Sequence, residues 1–353
     1  MIIPVIMAGG AGTRLWPMST EDKPKQFHNM SGHGTLLEET INRLKPVSPE
    51  EVVIVSARKY EELSLAEIKK TGLSGTILSE PMPKNTAAAV LYAAMFLKKK
   101  YNDPVMIVLP ADHFIRDVAA FTSVITKAVS LAEKGYLATI GIKPEYPETG
   151  YGYIKGAEII DGASVVERFV EKPNLETAKE YIADGNYYWN SGIFVWKTSV
   201  IIERFRKLLP EMYSQFLKLE AFSYEQIAAN SYEIWSLKEK IFSAIKSVSI
   251  DTGILENSDN RMVIPAEFGW ADLGSWKSAD DILDPDENCN RTQSPDNSIF
   301  VNSANCTVLS DGMRIAVVGV SNIVVVQSGN DILVIDKDSS QDVRTVVDMI
   351  RKK

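Results

Sequence analysis

The chain has 353 residues, 45% of them hydrophobic and 24% charged, with a formal net charge of −8 and only two cysteines. That length and apolar share suffice for one large core or two unequal ones, and the acidic balance argues against a general nucleic-acid or membrane-surface binder. No apolar run reaches the roughly 18 residues of a membrane span and the N-terminus lacks the basic start of an export signal, so a cytoplasmic protein with Cys289 and Cys306 as free thiols is expected.

Ile2 to Met7 is an apolar run that reads as the first buried strand. It leads into a segment, residues 7 to 27, with three glycines in four positions: Gly9, Gly10 and Gly12. Without Cβ atoms, their backbone N–H groups can turn toward an anion. Arg14 adds a rigid positive fork, and Lys23 and Lys25 add mobile charges, a composition suited to phosphate. Two familiar glycine loops are excluded. The dinucleotide-binding fingerprint needs a third glycine where Leu15 stands, and Pro17 and Pro24 keep the segment irregular where a helix should begin. The P-loop pattern needs Gly-Lys-Ser/Thr where, counting from Gly9, Arg14 begins.

Leu36, Leu37, Ile41 and Leu44 then recur at helical spacing, and 52 to 55 reads as a second strand. A helix over 59–70 and a short strand over 76–78 follow. Asn85 stands where an N-cap belongs, before an alanine-rich helix over 86–99. Residues 105–109 form another strand, Phe121, Ile125, Ala128 and Ala132 mark a helix, and 137–142 the next strand. This alternation predicts an α/β fold with a mainly parallel sheet covered by helices on both faces. The middle region mixes strands at 151–158, 164–170, 192–196, 246–251 and 262–267 with helices between 198 and 243. The composition shifts at 284–291, and short β-rich runs every 8 to 10 residues or so precede a final helix over about 341–351. Two domains are expected, 1–284 and a small β-rich domain over 285–353. His28, His33 and His113 lack metal-ligand spacing, so no zinc site is expected.

The string A-G-G-x-G-T-R-L-W-P-x-S from Ala8, followed by P-K-Q-F from Pro24, resembles the signature of the mannose-1-phosphate guanylyltransferases. The likeness continues through E-P-x-P-K-N-T-A-A-A, L-P-A-D-H, E-T-G-Y-G-Y-I, F-V-E-K-P, W-N-S-G-I-F and W-A-D-L-G-S-W. Seven blocks in one order are far more specific than any one of them. The resemblance implies a Rossmann-like nucleotidyltransferase core, a C-terminal unit of left-handed β-helix type, and transfer of GMP from GTP to mannose 1-phosphate with Mg²⁺. Longer relatives carry a further isomerase domain of cupin type; none is recognised here, and isomerase activity is not expected. The rival readings are a nucleotidyltransferase for another sugar 1-phosphate and a catalytically silent regulatory subunit. A homodimer is compatible with the resemblance.

The same resemblance distributes roles. Arg14 and Lys25 are expected to bind the triphosphate and stabilise the leaving pyrophosphate, and Asp112 and Asp272 to hold the metal. Ala8, Gly9, Gly10, Gly12, Thr13, Glu80, Asn85 and Thr86 are expected around the nucleotide. Guanine presents two adjacent donors, N1–H and N2–H₂, and Glu80 is the carboxylate suited to accept both. Gly150, Glu171, Lys172 and Asn190 are expected on the sugar phosphate. Asp251 and His28 depart from the family's wording: the role of Asp251 stays open, and His28 is expected to serve packing.

Overall fold

Nine strands form one mixed sheet, in the order Gly75–Glu80, Val52–Ala57, Ile2–Met7, Val105–Pro110, Tyr187–Lys197, Leu137–Ile142, Arg261–Ala266, Ala163–Val170 and Tyr153–Ile160. The structure, a computed structural model, describes residues 1–10 and 12–352, without the side chains of Thr13, Ile160, Ala279 and Asp281. The first four strands are mutually parallel, as the βα alternation predicts. Tyr187–Lys197 then runs antiparallel to Val105–Pro110 and Leu137–Ile142. Parallel strands covered on both faces carry continuous apolar runs, and Val52, Val53, Ile54 and Val55 are all at most 1% exposed.

The helix Asn85–Tyr101 is apolar around nearly its whole circumference, as expected of a helix inside a core. Ala87 to Leu97 are all buried, packed against Val53, Val55, Met106, Phe194 and Trp196. Its start differs slightly from expectation. Asn85 is the first helical residue, at φ 64°, and its Oδ1 accepts the N–H of Thr86 at 2.8 Å.

The expected strand at 246–251 does not form. That stretch runs extended and then makes a single π-helical turn, Asp251–Leu255. Its backbone is satisfied by the helix start instead: Ala87 N donates to Val248 O at 3.1 Å and Ile250 N to Thr86 Oγ1 at 2.8 Å. Once those groups are taken, no sheet ladder is needed.

The chain divides into two compact units. The first comprises 1–9, 41–110 and 117–270, and contains the nine-stranded sheet. The second comprises 10–40, 111–116 and 271–353. Compactness thus groups the glycine loop and the segment after Val105–Pro110 with the β-rich tail, cutting the chain elsewhere than at residue 284. In the tail, Arg291–Thr292, Thr307–Ser310 and Ile323–Ser328 stack in parallel, as do Ser298–Val301 and Ile315–Val318. Asn305 Nδ2 bonds Asn322 Oδ1 at 3.1 Å across 17 positions, one coil of this β-helix-like stack. Asp331–Asp336 closes it antiparallel to Ile323–Ser328. One apolar cluster of the second unit joins Leu15, Met18, Leu36, Phe114, Leu273 and Trp276 to Leu309, Val324, Val326, Leu333 and Val343. Cys289 and Cys306 are free thiols, the first exposed and the second buried. Among the described residues no helix is long and apolar enough to cross a membrane.

Candidate active site

The second unit carries the cationic and metal-binding candidates. Gly12 has φ +59°, and a Cβ there would lie 2.9 Å from Lys25 Cβ, so both backbone conformation and space require glycine. Arg14 follows in the short 3-10 turn Thr13–Leu15, exposed above the buried Leu15. The side chain of Thr13 lies outside the described residues.

Lys25 begins a second 3-10 turn, Lys25–Phe27, directly after Pro24. Only 5% of it is exposed. Its Nζ ion-pairs with Asp112 Oδ2 at 2.9 Å and donates to Asp272 O at 2.6 Å and Leu273 O at 3.2 Å. An ammonium has three protons, and this one places them on three acceptors. Lys25 therefore ties together the loop, the segment after Val105–Pro110 and the W-A-D-L-G segment. Burial pushes the carboxyl of Asp112 up, but the charge of Lys25, aided by His113, outweighs this and holds it below its usual range. Asp272 turns inward on its own loop, Oδ1 accepting Gly274 N at 3.0 Å.

Both aspartates offer hard oxygen donors. Among the described residues no group of three or more His, Cys, Asp or Glu is placed to hold a metal ion. Carboxylate oxygens of this kind suit a hard divalent cation such as Mg²⁺. Lys23 is exposed, whereas His28 is buried with Nε2 3.0 Å from Lys23 O, and burial holds its pKa below the ordinary value.

The nucleotide candidates of the first unit gather at the ends of Ile2–Met7 and Gly75–Glu80. Ala8 N donates to Val55 O at 2.8 Å, anchoring the start of the loop to the sheet. A Cβ on Gly9 would lie 3.3 Å from Glu80 Oε2, so the carboxyl stands directly against the glycine backbone. Glu80 Oε1 is buried with no hydrogen-bond partner among the described residues, and burial pushes the carboxyl up to about 8. A buried acceptor with nothing to accept is costly unless a ligand supplies donors. The hydroxyl of Thr86 accepts Ile250 N at 2.8 Å, which leaves its O–H proton as a donor.

The sugar candidates converge differently from expectation. Asn190 stands at a bulge where Tyr187–Lys197 shifts register against Leu137–Ile142, with Gly192 at φ 69°. Two extra residues on that strand, between the pairs Thr139–Phe194 and Gly141–Asn190, re-aim the side chain. Its Nδ2 donates to Asp251 Oδ1 at 2.7 Å, and its Oδ1 accepts Gly192 N at 3.1 Å. Asp251 is pushed up to about 6 by burial, with Asn190 opposing and the charge of Glu171 adding to the rise. Gly152 allows the convergence: a Cβ there would lie 3.0 Å from Glu171 Oε2 and 3.5 Å from Asn190 Cβ. Glu171 and Lys172 are exposed and paired at 2.7 Å. Gly150 N, expected to face the sugar, donates to Glu148 Oε1 at 2.7 Å. Sequence reasoning left Asp251 without a role and passed over Gly152 and the aromatic cluster of Tyr146, Tyr151, Trp189 and Trp270. The Y-G-Y spacing and the tryptophan before Asn190 were the available signals.

A nucleotidyl transferase family profile matches residues 3–287, and a mannose-phosphate isomerase/GMP-like β-helix domain profile matches residues 296–350. Mannose-1-phosphate guanylyltransferase RfbM of Salmonella typhimurium is 39% identical over 357 residues, spanning 99% of this chain and 72% of that protein. A mannose-1-phosphate guanylyltransferase of Escherichia coli is 37% identical over 358 residues, covering 100% and 74%. A Thermus thermophilus crystal structure described as a mannose-1-phosphate geranyltransferase superposes with a TM-score of 0.87 at 32% identity, covering 99% of both chains. The chain therefore belongs to the nucleotidyl transferase family, among its mannose-1-phosphate guanylyltransferases.

Proposed function

We propose that the protein transfers GMP from GTP to α-D-mannose 1-phosphate, giving GDP-mannose and pyrophosphate. A phosphate oxygen of the sugar phosphate attacks the α-phosphorus in line, and no covalent enzyme intermediate is required. The observation that carries the base assignment is the buried, unpartnered Oε1 of Glu80 against the Gly9 backbone. Guanine's N1–H and N2–H₂ would satisfy both carboxylate oxygens, a match adenine lacks because its edge presents an acceptor at N1.

The remaining chemistry is charge neutralisation, since the two substrates bring about six negative charges together. Arg14 offers its exposed guanidinium to the triphosphate, while Lys25 exchanges an Asp112 contact for a phosphate oxygen as pyrophosphate departs. Asp112 and Asp272 would hold Mg²⁺, which when bound neutralises phosphate charge. Asn190, Glu171 and Lys172 orient the sugar and its phosphate, with Asp251 fixing the rotamer of Asn190. The division of labour assigns catalysis to 1–284 and a β-rich domain to 285–353, in a cytoplasmic enzyme whose family resemblance is compatible with a homodimer.

The test is pyrophosphate release across four nucleoside triphosphates and several hexose 1-phosphates with Mg²⁺. The expected result is release with GTP and mannose 1-phosphate well above every other pair. No release with that pair would remove the reading.

A further inference from the structure

Lys238, on the helix Tyr232–Ala244, is 0% exposed. A buried ammonium contributes little stability relative to an apolar residue of similar volume, so its position calls for another account. Its Nζ donates to Ile227 O at 2.9 Å and to Asn230 Oδ1 at 2.5 Å, and stands 5.0 Å from the centroid of the Tyr92 ring. From there two routes lead toward Glu80. Along the first, Asn230 Nδ2 approaches Glu61 Oε2 at 3.5 Å, and that same oxygen accepts the hydroxyl of Ser79 at 2.9 Å. Ser79 is the residue before Glu80 in the strand Gly75–Glu80.

The second route is Tyr92 itself. Its hydroxyl is buried without a hydrogen-bond partner among the described residues, as is Glu80 Oε1. The phenol is held above its ordinary value by burial first, then by the charges of Glu80 and Glu61. The charged and titratable groups around this cluster are Glu61 and Arg58 from the segment 58–71, Tyr92 from the alanine-rich helix, Lys238 and Glu80. Arg58 is itself occupied over the Trp235 ring at 4.5 Å. Burial lowers the pKa of the Lys238 ammonium to about 7 against the opposing charge of Glu61, so Lys238 acts here as a buried hydrogen-bond donor behind the strand that carries Glu80.

We propose that Lys238, acting through Tyr92 and through the Asn230–Glu61–Ser79 chain, is a positioning residue for nucleotide-base selection. It holds the end of the strand carrying Glu80 through hydrogen bonds, so that the carboxyl meets the guanine edge in one position. The inference rests on Glu80 being the base acceptor.

The experiment compares wild type, K238M, S79A, E80Q and K238M/E80Q as full-length chains. It measures pyrophosphate release against GTP, ATP and mannose 1-phosphate from pH 6 to 9, with melting temperatures alongside. S79A breaks the chain at its far end while leaving the ammonium buried, so it decides the matter should K238M fail to fold. For K238M the expected result is a KM for GTP raised about tenfold, a smaller rise for S79A, and no further change when K238M is added to E80Q. In K238M kcat and the KM for mannose 1-phosphate stay within about twofold, so the change is confined to GTP recognition. A K238M protein that melts lower but keeps the wild-type GTP KM, with S79A also unchanged, overturns the positioning role. If E80Q meanwhile shifts the GTP-to-ATP preference, the base reading survives that failure. An E80Q protein with unchanged base preference removes the base reading and this inference with it.

Discussion

At the scale of single residues, two side chains hold the site in opposite electrostatic states. Lys25 is a buried cation with every proton placed, and Glu80 a buried acid with an oxygen left over. Lys25→Ala should lower kcat by about 10³-fold, since it removes charge stabilisation at the leaving group. It should also leave Asp112 unpaired, at a cost of about 1–3 kcal/mol of stability. Circular dichroism and turnover measured together check this, and near-normal turnover in a folded variant would refute the role. Glu80 makes a pH prediction. Its folded value of about 8 lies above the ordinary 4.5, so the folded chain retains a proton that the unfolded chain releases between those limits. Its contribution to stability is therefore fully present below pH 4.5 and is lost as pH rises through 8. Guanine bound to the carboxylate must expel the same proton. The KM for GTP should therefore fall by up to about tenfold per pH unit from 6 toward 8 and level off above. E80Q should flatten the profile, and a flat wild-type profile would contradict the assignment.

Elements show why the loop after the first strand is irregular. A helix there would bury the backbone N–H groups in its own ladder, and the two prolines prevent one. What remains is a pair of 3-10 turns pinned by Leu15 and Phe27, with Gly12 packed against Lys25. Gly12→Ala should therefore act twice, through the positive φ and through the contact with Lys25 Cβ. The expected loss is about 1–3 kcal/mol of stability, together with a kcat deficit larger than the KM change for either substrate. Thermal melts and steady-state kinetics separate the two, and a G12A protein with wild-type melting and turnover would show the loop to be more yielding than its packing suggests. The bulge at Asn190 is a further case of an element whose irregularity serves the site. The N-S-G string marked a turn, but only the register shift between two strands places the amide on Asp251.

On the scale of the whole molecule, the β-rich tail is more than an appendage. Leu309, Val324, Val326, Leu333 and Val343 share one apolar cluster with Leu15, Phe114, Leu273 and Trp276, residues that border Arg14, Asp112 and Asp272. A chain ending at residue 284 should consequently lose the floor of the loop and most of its turnover. A truncated chain that melted as one cooperative unit with wild-type kcat would disprove that. Much was legible before any coordinates. The parallel half of the sheet could be read because strands buried on both faces must be apolar throughout, as at Val52–Val55 and 105–109, and the motif order pointed to the family. The strand expected at 246–251 failed because its hydrogen-bond partners are Ala87 and Thr86, some 160 positions away along the chain. Likewise nothing local to Lys25 announces that it reaches Asp112 and the backbone of 272–273, or that Gly150 N is already bonded to Glu148. Periodicity and motif spacing are properties of neighbours in sequence, so the sequence alone determined most of the strands, and the resemblance carried by its motifs implied the reaction class and the list of candidate groups. Which candidates meet, which are already satisfied and which acid is left with an open oxygen depend on contacts between distant segments, and those only the tertiary structure decided.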